Sequence, residues 1–134
     1  MNKPKESLFH ATGRKKTSVA SVTISRSDKH SFTINGRDAS EYLNSCSLMV
    51  ALFPFTSSGT SFEESSINVK AHGGGVSSQA YAIRHAIAKI LALSSVELKA
   101  TIKSLGLLTR DSRIVERKKP GLRKARRKEQ FSKR

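Results

Sequence analysis

The chain has a single cysteine, Cys46, and no tryptophan. One thiol cannot close a disulfide within the chain, which points to a reducing, cytoplasmic setting. Beside Leu48, Met49 and Val50, the thiol reads as a small buried apolar group. No run of about 18 apolar residues is present, so no segment is long enough to cross a bilayer as a helix. Lys3 and Lys5 lead into no apolar stretch of the kind a secretory leader needs. The four histidines, His10, His30, His72 and His85, lack metal-ligand spacing, and one cysteine cannot complete a zinc site. No Gly-x4-Gly-Lys-Ser/Thr loop, dinucleotide fingerprint or Gly-x-Ser-x-Gly elbow occurs, which excludes the common nucleotide-binding and esterase chemistries.

Carboxylates are scarce too. Against 25 Lys and Arg stand 10 Asp and Glu, a net charge of +15 in 134 residues. The excess is concentrated at the ends. Residues 1–16 carry +4, residues 17–109 only +2, and residues 110–134 the remaining +9. The pattern predicts a flexible basic N-terminus over 1–12, one nearly neutral globular body over 13–109, and a basic tail over 110–134. The tail, RDSRIVERKKPGLRKARRKEQFSKR, has too few apolar side chains to build a core and repels itself, so it should stay extended until a polyanion neutralises it. It has no sustained apolar face, which disfavours a membrane surface and favours nucleic acid. A plain solvated tail or an import signal has the same composition. The tail differs from either in its grammar: Pro120-Gly121 breaks the run, and basic clusters are spaced by small or single apolar residues.

Within the body, Thr17 to Ser25 alternates Ala20, Val22 and Ile24 with polar residues, the pattern of a half-buried strand. Ser31 to Ile34 is a second strand, closed by Asn35-Gly36, and the two read as an antiparallel hairpin. Asp38 to Ser47 predicts a short helix capped by Asp38 or Ser40, and Pro54 should stop whatever Leu48 to Phe53 forms. Thr56 to Ser61 reads as a loop and Ser66 to Ala71 as a third strand. From Val76 the period becomes helical, with Ala80, Ile83, Ile87, Ile90 and Leu91 inward and Gln79, Arg84 and Lys89 outward. Ser94 and Glu97 have capping-box spacing for a further helix that places Leu98, Ile102 and Leu105 on the core and ends at Gly106. Leu107 to Thr109 would begin a last strand.

Three places invite a ligand. Gly73-Gly74-Gly75 before a helix is either a tightly packed turn or a cradle in which backbone amides meet a phosphate. Arg84, with His85 next to it, is either a solvated charge or a phosphate partner at the helix start. Arg14, Lys15 and Lys16 would join it if the first strand neighbours that helix. Asp111 and Glu116 lie among arginines, where intrachain charge pairs suit them better than acid–base catalysis. An enzyme acting on a phosphate ligand through Gly73 to Gly75 would need a base and a metal carboxylate nearby. Neither is evident, so the chain reads as a non-enzyme with no cofactor and no metal.

Four ordered motifs then fit one family. They are Gly13-Arg14-Lys15-Lys16 with Ser18-Val19-Ala20; Ile34-Asn35-Gly36-Arg37; Gly73-Gly74-Gly75 with Ser77, Gln79-Ala80 and Ala82-Ile83-Arg84-His85; and Leu108-Thr109-Arg110-Asp111 through Val115 to Lys119, Gly121-Leu122 and Lys124 to Arg127, ending Gln130 to Arg134. From about Thr12 onward the chain resembles the S-nine family of small-subunit ribosomal proteins, bacterial or organellar. The resemblance implies an α+β body with a four-stranded sheet and helices on one face, as in the second domain of small-subunit protein five, followed by the long extended tail. It implies a place in the head of the small subunit of a cytoplasmic ribosome, beside neighbouring head proteins, on the 3′ major domain of the ribosomal RNA. Carried over by position, Arg14, Lys15, Lys16, Gly73, Gly74, Gly75, Arg84 and His85 of the body would contact that RNA. So would Arg110, Arg113, Arg117, Lys118, Lys119, Arg123, Lys124, Arg126, Arg127 and Lys128 of the tail. Ser132, Lys133 and Arg134 would meet the peptidyl-site tRNA. The family usually has glycine where this chain has Ser78 and Ala86, and Leu48 to Glu64 matches it poorly.

Overall fold

The computed structural model describes residues 8–61 and 65–133. Within them the chain is α+β, a mixed sheet with helices laid on one face. The sheet has five strands, β1 (Leu8–Lys15), β2 (Ser18–Arg26), β3 (Ser31–Ile34), β4 (Arg37–Asp38) and β5 (Ser65–His72), in the order β1-β2-β5-β3-β4. The helices are α1 (Ala39–Tyr42), α2 (Ser45–Ser58), α3 (Val76–Ser94) and α4 (Val96–Ser104).

Five strands instead of four follow from both ends of the sheet. Leu8 to Thr12, expected to be flexible, pairs in register with β2 down to Lys15 opposite Ser18, while the rest of the N-terminal arm lies outside the described residues. At the other end Asn35-Gly36 forms a two-residue turn with both residues at positive φ, 52° and 80°, the conformation that matches strand twist in a hairpin. It joins β3 to the two-residue strand β4. The side chain of Asn35 also behaves like an extra strand residue: Nδ2 donates to the carbonyl of Ala71 at 2.8 Å and Oδ1 accepts from its amide at 2.9 Å.

The expected hairpin of β2 with β3 does not form. β5 lies between them, antiparallel to β2 and parallel to β3. Its inward residues Ile67, Val69 and Ala71 face Ile24, Val22 and Ala20 on one side, and Ile67 and Val69 face Phe32 and Ile34 on the other. A strand this apolar on one face is best buried at the centre, and the connection from Arg26 to Ser31 crosses over it.

α3 covers β1 and β2 and carries most of the core. Ile83 and Ile87 are fully buried, each contributing about 2 kcal/mol by removal from water. Ala82 and Ala86 permit a very close approach of strand to helix. A Cβ on Gly13 of β1 would lie 2.0 Å from the carbonyl oxygen of Ala82 and 2.6 Å from the amide of Ala86.

α2 corrects several expectations. Its buried residues Ser47, Ala51, Pro54 and Phe55 follow helical spacing, so the helix runs through Pro54 and includes Thr56 to Ser58. The fully buried proline ring offsets part of the hydrogen bond it removes. Asn44 caps the start, accepting from the amide of Ser47 at 2.9 Å, and Gly59 ends the helix in the left-handed region. The same spacing turns Cys46 outward, so the thiol is exposed, not buried. At α1, Asp38 occupies the cap position without a side-chain cap bond. At α4 the cap position falls on Ser95 and its side chain makes no cap bond, so the expected box is not realised. Ile102 is buried, Leu98 half-buried and Leu105 exposed. Leu107 and Leu108 pack on the core in irregular backbone, with no last strand among the described residues.

Gly13→Ala should destabilise the fold by about 3 kcal/mol, because the new methyl meets backbone that cannot move aside. Gly75→Ala, with nothing within 4 Å, should change stability little. Urea unfolding of the two variants checks the contrast.

Candidate nucleic-acid interface

β1 and β2 are joined by the two-residue turn Lys16-Thr17, and Lys16 adopts a positive φ of 51°. A lysine gains nothing there that glycine or asparagine would not supply with less strain. The turn packs against the glycine loop. A Cβ on Gly73 would lie 2.4 Å from the carbonyl oxygen of Thr17, and one on Gly74 would lie 2.1 Å from Oγ of Ser18. Both glycines have positive φ, 75° and 59°. Ser18 Oγ and Gln79 Nε2 each donate to the carbonyl of Gly73, at 3.0 and 3.1 Å, so Gln79 is buried and not outward. Gly73 and Gly74 are thus explained by packing. Gly75 faces open space at the exposed first turn of α3, whose leading amides carry the positive end of a 19-residue helix.

Four basic side chains converge on one groove. Lys15, Lys16, Arg84 and Arg113 line it with Tyr81, Asp111, Ile114 and Val115, around a volume of about 640 Å³. The first strand does neighbour α3, and the start of the tail lies back over both. Asp111 ties these parts together: it accepts from Lys15 Nζ at 3.3 Å and from Arg113 Nη2 at 2.8 Å. The hydrogen bonds from Arg113, helped by Lys15, hold its carboxyl well below the usual carboxylate range. Arg84 lies over the ring of Tyr81, 4.7 Å from its centroid. Arg14 does not join this group. Strand alternation sends its side chain to the opposite face of the sheet from Lys15. Beyond Arg84, Met49, Val50, Leu52, Phe53 and Thr56 line a separate apolar groove of about 360 Å³.

His85 stands behind the basic surface, buried. Its Nδ1 accepts from the amide of Arg14 at 3.4 Å, and its Nε2 bonds to the carbonyl of Leu108 at 3.2 Å. An Nδ1 acceptor requires the neutral ring with its proton on Nε2. Burial lowers its pKa, and Lys89, Arg110 and Arg84 add to this against the opposing pull of the Leu108 carbonyl. His85 therefore fixes the strand and the base of the tail instead of lining the surface. Lys89, read as turned outward, reaches across to donate to the carbonyl of Thr12 at 2.9 Å.

Past Arg113 the tail has no regular secondary structure among the described residues. It is not a plain extended run. Arg126 Nε donates to Glu116 at 2.9 Å across Pro120-Gly121, and Arg123 lies 3.7 Å from Glu129. The carboxylates thus form intrachain pairs, as their placement among arginines suggests. Arg117, Lys118, Lys119, Lys124, Arg127 and Lys128 are exposed with no carboxylate partner among the described residues. Ser132 and Lys133 are exposed at the tip, and Arg134 lies outside the described residues. Tyr81, Ile114 and Val115 carry no sequence signal that separates them from ordinary surface positions; only the fold brings them to the groove.

A basic groove is thus continuous with a basic tail. The sequence pattern of the family described as Ribosomal protein S9/S16 matches residues 13–134. The Small ribosomal subunit protein uS9 of Mesomycoplasma hyopneumoniae, in strains 7448, J and 232, is 50% identical over 135 residues and covers both chains completely. The chain belongs to the ribosomal protein S9 family, a structural, non-enzymatic component of the small ribosomal subunit.

The sign of the His85 shift fixes a pH dependence. A folded-state pKa below the unfolded value of 6.5 gives stability that is complete above that pH and lost as pH falls below it. Urea unfolding of the isolated protein between pH 7.5 and 5.5 should show that loss. His85→Gln should flatten it, and an equal fall in the variant would assign it to another group.

Proposed function

We propose that this protein grips the 3′ major domain of small-subunit ribosomal RNA through two connected surfaces and steadies peptidyl-site tRNA with its C-terminal tip. The convergence of Lys15, Lys16, Arg84 and Arg113 on one groove, from which the basic tail departs, carries this reading. The groove supplies an anchor on the rigid body, with the amides at the start of α3 close by. The unpaired cations from Arg117 to Lys128 run along RNA away from it. These are backbone contacts: Lys and Arg neutralise phosphate and release counterions, and they position the partner without reading its sequence. Neighbouring head proteins complete its surroundings.

Distance supports the role of the tip. From Pro120 to Arg134 the chain can extend about 50 Å at roughly 3.4 Å per residue. Ser132, Lys133 and Arg134 would then act far from the body, the two cations meeting tRNA phosphates.

The isolated protein should lose on the order of a thousandfold in RNA affinity between about 50 and 200 mM salt if roughly six phosphates are neutralised. A flat response in filter binding would contradict the phosphate reading. Ribosomes whose copy lacks Ser132 to Arg134 should assemble normally and bind peptidyl-site tRNA more weakly. Unchanged tRNA affinity would remove the tip from the proposal.

A further inference from the structure

The groove is built for more than phosphate. A cradle for a helical RNA backbone needs only cations, yet this one sets a cationic end against an aromatic and aliphatic wall. Lys15, Lys16 and Arg113 lie with Tyr81, Ile114 and Val115, and the wall side chains are exposed to 39, 60 and 88%. Its volume of about 640 Å³ leaves room for a small organic group laid in an open groove. Arg84 is half-buried and laid over the Tyr81 ring, which holds its planar guanidinium as a fixed platform. A flat guanidinium of this kind stacks on a nucleobase, and unpaired bases of RNA are recognised by such platforms.

We propose that this groove takes a single unpaired nucleotide of RNA, its phosphate between Lys15, Lys16 and Arg113 and its base stacked on the Arg84–Tyr81 pair. The inference rests on the reading of the groove as an RNA contact and adds what kind of RNA it accepts. Asp111 is a positioning residue. Its oxygens accept from both Lys15 and Arg113, which spaces the two cations and keeps them from collapsing onto the base site. Ile114 and Val115 flank the open apolar side, where a base would cover exposed hydrocarbon and a ribose–phosphate alone would not. Stacking of this kind tolerates any base, so the groove selects for extrusion from the helix and not for sequence.

The test uses the full-length protein and two RNA duplexes of equal length and composition, one fully paired and one with a single-nucleotide bulge carrying 2-aminopurine. The bulged duplex should bind on the order of tenfold more tightly, with a change in 2-aminopurine fluorescence. Tyr81→Ala should abolish the preference while leaving affinity for the paired duplex and its salt dependence nearly intact, and Arg84→Lys should abolish the preference even where it weakens binding to both duplexes. Arg84→Lys keeps the charge and loses the plane, so it separates stacking from electrostatics. Equal affinity of the unaltered protein for both duplexes overturns the nucleotide site and leaves the phosphate reading standing. A preference that survives both substitutions overturns it as well. Failure to bind either duplex would defeat the phosphate reading itself.

Discussion

The close approach of β1 to α3 is the constraint on which the rest depends. Because Gly13 has no side chain, the strand lies directly against the helix backbone at Ala82 and Ala86. That approach lets His85 reach the amide of Arg14 and Lys89 reach the carbonyl of Thr12. It also brings Lys15 and Lys16 beside Arg84, which lies far along the sequence from that adjacent pair. Had β1 stood off by the width of a methyl group, the helix and the turn would present two weak basic patches instead of one groove. Alanine at position 86 fits because the contact runs through its backbone and its side chain is fully buried.

The electrostatics follow a division of labour. The body is nearly neutral and can fold on its hydrophobic core without fighting its own charge. The tail, which carries most of the excess, is left outside that core. The few carboxylates near it stand where they limit self-repulsion before RNA arrives: Asp111 at the groove, Glu116 and Glu129 in the tail. Exposed pairs of this kind contribute little to stability. Their effect is to hold particular arginines in position.

Much of this was legible in the sequence. The alternation in β2 and β5 and the period of α3 are strong signals because each element buries one face. Asn35-Gly36 is legible because few other residue pairs adopt positive φ in succession. The failures share a cause, since local pattern does not report partner choice. Nothing in Thr17 to Ile34 reveals that β5 will come between β2 and β3. Pro54 is a helix breaker by propensity, and only the depth of its burial overrides that. His85 and Gln79 were hidden because a polar residue on a helix reads as outward until a backbone partner is known. Lys15, Lys16, Arg84 and the basic tail could be named as candidates one by one. Their union, and the entry of Tyr81 among them, required the fold.

The bonds from His85 and Lys89 to β1 have one more consequence. β1 is the outermost strand of the sheet, and an outer strand normally offers its free amides and carbonyls as a template for another chain. Here side chains of α3 occupy two of those groups, and at the opposite margin β4 is only two residues long. Each border is thereby curtailed as a template for a second copy, one by two occupied groups and the other by its length. A strongly charged protein made apart from its RNA thus carries a sheet with one edge partly occupied and the other short before its partner arrives.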